Sequence, residues 1–337
     1  MGREYKEPSR CDLTLIRTTG KNVTEHYYLI NIDKSNDYSS WYPASTVKFV
    51  AAALAAKRLT ELGFENPGET TITFHYAEGA QVRTWSALLD LALKVSDNIA
   101  YNELVILAGH SIMSNFLIAH NYDIALNKPY LKSKWKARTG LNPATLETDK
   151  HTFAGCRITV NDGVKSVEIA AARANSYRLD TSRSSSCSTK GLADFLNDLI
   201  FKNDSILLIN ESFYNSLINK MKERKSEGQE NFVDAILSKI RNREEWDVIH
   251  KPGFITTISE SDGNDYTYWC DTVCLKNKDP DKSSYTFCAY GGEDKKVLSD
   301  LGKNTKIEKQ NMLNSKYYDE THMGMSEALA KFINKEG

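Results

Sequence analysis

Polar and apolar positions alternate at the start of the chain, and two runs, Cys11 to Thr18 and Glu25 to Ile32, read as β-strands. Leu13, Leu15 and Tyr27 to Ile30 supply their β-rich apolar content. Asp33 to Ser40 is polar and reads as a loop. The period then changes. Phe49 to Ala56 is apolar on all sides, which predicts a buried helix beginning at Ala44 or Ser45 and running to about Leu62. Pro43 stands just before it, where a missing N–H costs nothing, and Gly63 is placed to end it. Thr71 to Phe74 is a short extended piece. From Trp85 to Val95 the positions Leu88, Leu89, Leu91, Ala92 and Val95 repeat at helical spacing. Ser96-Asp97-Asn98 interrupts that helix; a second runs from about Ile99 to Ala108, and Ser111 to His120 continues as helix.

Between Asn121 and Ser186 the pattern is irregular. Asn161-Asp162-Gly163 is a turn signal between two extended runs, Arg157 to Val160 and Lys165 to Ala170, and predicts a hairpin. Ser182 to Ser188 is a serine-rich loop or helix start. Helices return at Thr189 to Phe201, Ser212 to Glu223 and Asn231 to Ile240. Trp246 to Lys251 reads as a strand stopped by Pro252-Gly253, followed by strands at Thr267 to Leu275 and Ser284 to Tyr290. A last helix covers Met325 to Asn334. Strands at both ends enclose a helical middle. The fold class is therefore α+β: one antiparallel sheet assembled from both termini, with a helical lobe inserted between them. The expected division is a single two-lobed domain over 1–337. Its sheet lobe takes about 11–40 and 241–337, and its helical lobe about 41–240, with an irregular insertion near 121–186.

Composition narrows the function. With 41% hydrophobic residues the 337-residue chain can bury a substantial core, and a formal net charge of −1 gives no bulk pull toward nucleic acid. The short basic run Lys132 to Lys136 reads as a solvated face. No apolar stretch approaches the roughly 18 residues of a membrane span, and no secretory signal core is visible at Met1 to Glu4. The six cysteines include no CxxC pair, so buried free thiols and disulfides both stay open, with Cys274 and Cys288 on neighbouring strands. The seven histidines are scattered without ligand spacing, so no metal or other cofactor is expected; His250, beside Lys251, is the one to watch.

Three short motifs remain: Ser45-Thr46-Val47-Lys48, Ser96-Asp97-Asn98 and Lys251-Pro252-Gly253. Alone, each is a helix cap or a turn. Together they supply acyl-transfer chemistry. Residues three apart share one side of a helix, so the Lys48 amine can reach the Ser45 hydroxyl. Burial favours the neutral amine that takes a proton. Lys48 interrupts an otherwise apolar stretch, where an unpaired lysine is costly. The Ser45 N–H at a helix start points toward an incoming oxyanion. The Ser96 hydroxyl can relay a proton to a leaving group, Asn98 can orient Lys48 or hold a substrate carbonyl, and Asp97 is placed to cap the next helix. Lys251 supplies positive charge, Gly253 permits close backbone approach, and the Phe254 N–H is a second oxyanion donor.

In this order the set SxxK, SDN and KxG resembles the serine β-lactamase and penicillin-binding-protein superfamily, closest to the class A type. Pro43 to Lys48 looks like its nucleophile helix, and Ser96 to Asn102 looks like its second motif and following helix. The resemblance covers most of residues 11–335. It implies a β-lactamase- or transpeptidase-like fold of a sandwich lobe and an all-helical lobe. It also implies Ser45 as nucleophile, Lys48 as activator, Ser96 as relay, Asn98 as substrate contact and Lys251 as electrostatic anchor. The Ser45 and Phe254 N–H groups would form the oxyanion hole, and the protein would be exported to the periplasm or beyond. The partner is then a small-molecule or peptide substrate. Two departures stand out. The Glu-x-x-x-Asn context of the class A deacylating base is missing between Asn121 and Asn175, where Glu147 is a better candidate than Glu168. Pro252 also occupies the place of a hydroxyl residue. The expectation is a serine hydrolase acting on an amide or ester, a β-lactam or peptidoglycan-type peptide among the candidates. The competing expectation is a catalytically weak relative that binds cell-wall peptide or a partner protein.

Overall fold

The computed structural model describes residues 10–31, 43–126, 135, 138–139, 152–171, 173–175, 186–223, 232–258, 265–294 and 325–335. The chain opens with a hairpin of β1 (Arg10–Thr19) and β2 (Asn22–Asn31). A 3-10 turn, Ala44–Val47, leads into α1 (Lys48–Glu61), and β3 (Thr71–Tyr76) pairs with β4 (Gly79–Thr84). α2 (Trp85–Leu89) widens into a π-helical turn at Asp90–Lys94, followed by α3 (Asn98–Ala108) and α4 (His110–Ala119). Short strands follow: β5 (Ile124–Ala125), β6 (Thr152–Ala154), β7 (Arg157–Asn161), β8 (Ser166–Ile169), β9 (Arg173–Asn175) and β10 (Ser186–Cys187). Next come α5 (Thr189–Phe201), α6 (Glu211–Lys222) and α7 (Phe232–Leu237). The chain closes with β11 (Trp246–Ile258), β12 (Asp265–Asn277), β13 (Ser283–Asp294) and a terminal helix, α8, at 325–335. The described residues fall into two compact units, one from 1–38 and 226–337 and the other from 39–225.

The first unit is built on a five-stranded antiparallel sheet in the order β11-β12-β13-β1-β2. Both ends of the chain meet there, since β1 pairs with β13, Leu15 opposite Phe287. Alternation along the strands sends Leu15, Val273, Leu275, Tyr285, Phe287 and Ala289 to one face. There they pack on Phe232, Val233, Ile236 and Leu237 of α7 and on Met325, Leu329, Ala330 and Ile333 of α8. Each Val, Leu, Ile, Phe or Met among them contributes about 1.5–3 kcal/mol by leaving water. α7 belongs to this unit because that apolar face has the sheet to cover.

The expected stop at Pro252-Gly253 is not found. β11 runs through both residues to Ile258, in register with β12. Proline disrupts a sheet when it removes a ladder donor, but β11 is an edge strand. The Pro252 carbonyl instead accepts from the Lys251 amine at 2.9 Å.

The second unit is centred on α1, whose residues Lys48 to Ala56 are all buried, with α3 and α6 packed against it. Its alanines let these helices approach, and Phe49 meets Phe195 of α5 edge to face at 5.8 Å between centroids. The helix starts carry the caps their sequences suggest. The Asp97 carboxylate accepts from the Ala100 N–H at 2.7 Å, Ser188 from Gly191 at 3.0 Å, and Asn210 from Phe213 at 3.0 Å. α1 ends at Gly63, whose φ of +78° suits glycine. The predicted hairpin around Asn161-Asp162-Gly163 is present as β7 and β8, and it extends a four-stranded sheet in the order β4-β3-β7-β8.

α3 is tied to that sheet by Glu103. Its buried carboxylate accepts from the Tyr76 hydroxyl at 2.8 Å and from Arg83 Nε at 2.5 Å. Burial pushes this carboxyl above its ordinary range, against the lowering effect of Arg83. Cys156, Cys187, Cys270, Cys274 and Cys288 are buried thiols outside any disulfide. Burial raises the Cys274 thiol to about 12 and Cys156 to about 11, which leaves both unreactive. The Cys270 and Cys288 sulfurs lie 3.6 Å apart. Among the described residues no single helix is long and apolar enough to cross a membrane, and no cluster of three metal-ligating side chains occurs.

Candidate active site

In the helical unit the first two motifs come together. Ser45 sits half-buried in the 3-10 turn that starts the α1 helix, and Lys48 is the first residue of α1 proper, fully buried. The Lys48 amine donates to Asn98 Oδ1 at 2.8 Å, to the Ser96 hydroxyl at 3.3 Å, and to the Ser96 carbonyl. A buried amine in an apolar helix is thus compensated by acceptors of the second motif. Sequence spacing alone could not show that Lys48 and Ser96, 48 positions apart, come into contact. Among the described residues no hydrogen bond engages the Ser45 hydroxyl or its N–H. That N–H belongs to the first helical turn, where donors lack an intrahelical acceptor.

Backbone conformation marks the same places. Ala44 (φ +47°) and Ser96 (φ +61°) are both in the left-handed region, which L-residues enter at a cost of about 1–2 kcal/mol. One precedes Ser45, and the other is the residue whose carbonyl and hydroxyl meet Lys48. Strain of this kind persists only where the surroundings over-determine it.

For Ser96 the surroundings are explicit. The π-helical turn before it shifts the register of the approaching helix, a feature frequent at functional sites. That turn is clamped to α6 by charges: Asp90 accepts ion pairs from Lys94 at 3.1 Å and from Lys220 at 3.0 Å, and Lys94 also meets Glu223. After Ser96, Asp97 caps α3 and its N–H donates to the Leu91 carbonyl at 2.7 Å. Ser96 is therefore held between a clamped turn and a capped helix. The Asp90-to-Lys94 spacing was readable as a helical ion pair; the partner on α6 was not.

The third motif lies in the sheet unit. Lys251 is buried on β11 and faces Thr272 of β12; Gly253 faces Cys270, and Phe254 faces Trp269. Alternation puts Lys251, Gly253, Cys270 and Thr272 on one side of the sheet and His250, Pro252, Asp271 and Val273 on the other. The extra strand length past Gly253 places the Phe254 backbone within the ladder. His250 is buried, with Nδ1 3.5 Å from Asp271 Oδ1. Asp271 was not anticipated: it is one acidic residue in a strand whose other positions gave no reason to single it out. Glu147 lies outside the described residues. Glu168 is exposed on β8, paired with Arg157 at 2.7 Å.

No protein-family model and no curated protein matches the sequence. Solved structures do match in shape over nearly the whole chain. A serine-to-glycine form of the TLA-1 extended-spectrum β-lactamase superposes with a TM-score of 0.56 at 11% identity, covering 98% of this chain and 95% of that one. The TLA-3 extended-spectrum β-lactamase gives 0.54 at 11% identity over 98% and 95%. A class A β-lactamase from Bacteroides cellulosilyticus gives 0.52 at 11% identity over 97% and 93%. The chain has the α+β fold of the class A β-lactamases.

Proposed function

We propose that this chain is a serine hydrolase that forms an acyl-enzyme on Ser45 from an amide or ester substrate. The observation that carries the reading is the buried Lys48 amine, three residues after Ser45, bound by Ser96 and Asn98 of the second motif. In this mechanism Lys48 as the free amine removes the Ser45 proton and Oγ attacks the substrate carbonyl carbon. The oxyanion is met by the Ser45 and Phe254 N–H groups. Collapse breaks the carbonyl bond to the leaving nitrogen or oxygen; the Ser96 hydroxyl delivers its proton to that atom and is reprotonated by the Lys48 ammonium, which so gives back the proton taken from Ser45. Lys251 supplies the positive charge that anchors an anionic substrate, and Gly253 leaves room for its backbone. Glu147 is the candidate for activating the deacylating water. β-Lactams and peptidoglycan-type peptides are the candidate substrates, and an exported protein is the matching location.

A second reading has its own support. The Ser45 hydroxyl has no hydrogen bond to Lys48 among the described residues, and Pro252 brings no hydroxyl to the third motif. A protein that binds a cell-wall peptide or a protein partner without turning it over fits both facts. One experiment separates the two: a fluorescent penicillin and a fluorophosphonate probe are applied to wild type and to Ser45→Ala. The hydrolase reading expects covalent labelling of wild type alone. Equal labelling of both proteins, or none of either, removes it.

A further inference from the structure

The buried pair beside the third motif has a specific geometry. His250 and Asp271 are a cross-strand diagonal: His250 faces Val273, and Asp271 faces Pro252. The His250 side chain is 5% exposed and that of Asp271 2%. Asp271 has Pro252 and Ala289 opposite it on the two flanking strands. Phe287 and Gly291 are its diagonal neighbours on β13. Among these register neighbours His250 is the titratable one. Neither Asp271 oxygen, nor His250 Nδ1, makes a hydrogen bond among the described residues. A buried carboxyl group in such surroundings needs a polar partner close by, and His250 at 3.5 Å is the group placed to be it. Replacing such pairs by apolar residues of similar volume is often neutral for stability, so stability alone is a weak reason for its presence.

We infer that His250 and Asp271 are a positioning pair for Lys251, fixing β11 against β12 at the third motif so that the Lys251 ammonium is presented to a substrate carboxylate. The tie spans the two residues that flank Lys251: His250 directly, and Pro252 through its partner Asp271. Lys251 projects from the opposite face and is steadied by the Pro252 carbonyl at 2.9 Å. Slip or twist of β11 at this point swings the ammonium, because side-chain direction follows strand register. This inference rests on the proposed role of Lys251 as the substrate anchor.

The test uses full-length protein with Ser45→Ala, so that binding is read without turnover. Equilibrium binding of benzylpenicillin and of its methyl ester is measured in that background, then with the apolar pair His250→Leu/Asp271→Leu and with the amide pair His250→Asn/Asp271→Asn. The expected result is a loss of roughly tenfold for benzylpenicillin in the apolar pair, the scale of one charge-assisted contact. The ester is expected to be unchanged, and the amide pair, which can still bond across the strands, to restore most of the acid's affinity. Equal losses for acid and ester, or no loss for either, overturn the inference, as does absence of benzylpenicillin binding in Ser45→Ala itself. Thermal melting of each variant separates misfolding from misplacement, and if the apolar pair is unfolded the single variant Asp271→Asn takes its place under the same criteria. Probe labelling of Ser45 in otherwise wild-type protein stands apart: its failure removes the acyl-enzyme reading, whatever the pair variants do.

Discussion

Lys48 and the His250–Asp271 pair are both buried ionisable groups, and the two units house them by different means. In the helical unit one amine donates to three acceptors of a single tight loop, Ser96 to Asn98. In the sheet unit a carboxyl group and an imidazole face one another at 3.5 Å on the side of the sheet that carries the apolar core. The helical group is held by side-chain and backbone hydrogen bonds converging on one atom; the sheet group is held by the ladder, with the two side chains riding on it. Removing a side chain should therefore be costly in the first region. In the second, removing both partners should cost little stability and change geometry.

Lys48→Met tests the costly side. Methionine keeps the length and apolar stem but leaves the Ser96 carbonyl, the Ser96 hydroxyl and Asn98 Oδ1 without their shared donor. A loss of about 2–4 kcal/mol is expected in urea denaturation, with labelling of Ser45 abolished. A loss below about 1 kcal/mol means that these acceptors find other donors, and the contrast between the two units then disappears.

Ser96→Gly sharpens the comparison by separating strain from chemistry. Glycine adopts the left-handed φ of +61° freely, so relief of strain offsets the lost hydroxyl contact to Lys48. The expected change in stability lies within about 1 kcal/mol of wild type, while probe labelling falls roughly a hundredfold for loss of a proton relay. Labelling at the wild-type rate would show that the hydroxyl carries no proton and that Ser96 serves Lys48 through its carbonyl alone.

Much of this arrangement was legible in the sequence, and the reasons differ by residue. The α1 helix was readable because Phe49 to Ala56 is apolar without a break, and α3 because Asp97 is a strong cap before an apolar run. The closing of the sheet by both termini followed from strands at the two ends. β4 was not readable, since Gly79 to Thr84 carries little apolar content and is exposed along most of its length. The continuation of β11 through Pro252-Gly253 was missed because those two residues signal a turn locally; only the position of β11 at a sheet edge makes them acceptable. The approach of Ser96 to Lys48 depends on the π-helical turn and on Lys220 of another helix. Neither leaves a mark in local periodicity.

That clamp is the subtlest test of how the helical group is held. Burial alone would raise the Asp90 carboxyl, but its contacts with Lys220 and Lys94 outweigh burial and hold it below the ordinary value. Such a group contributes stability that is present above the unfolded-state value and is lost as pH falls through the lower folded value. Asp90→Asn should therefore be less stable than wild type near neutral pH, by less than about 1 kcal/mol because the pair is partly exposed and screened. The difference should shrink as pH falls below about 4 and should also shrink in high salt. Melting curves of both proteins across that range decide it. If the gap persists at low pH, Asp90 acts by packing rather than by charge. The left-handed Ser96 would then be held without that charge clamp, by the Asp97 cap and the contacts to Lys48.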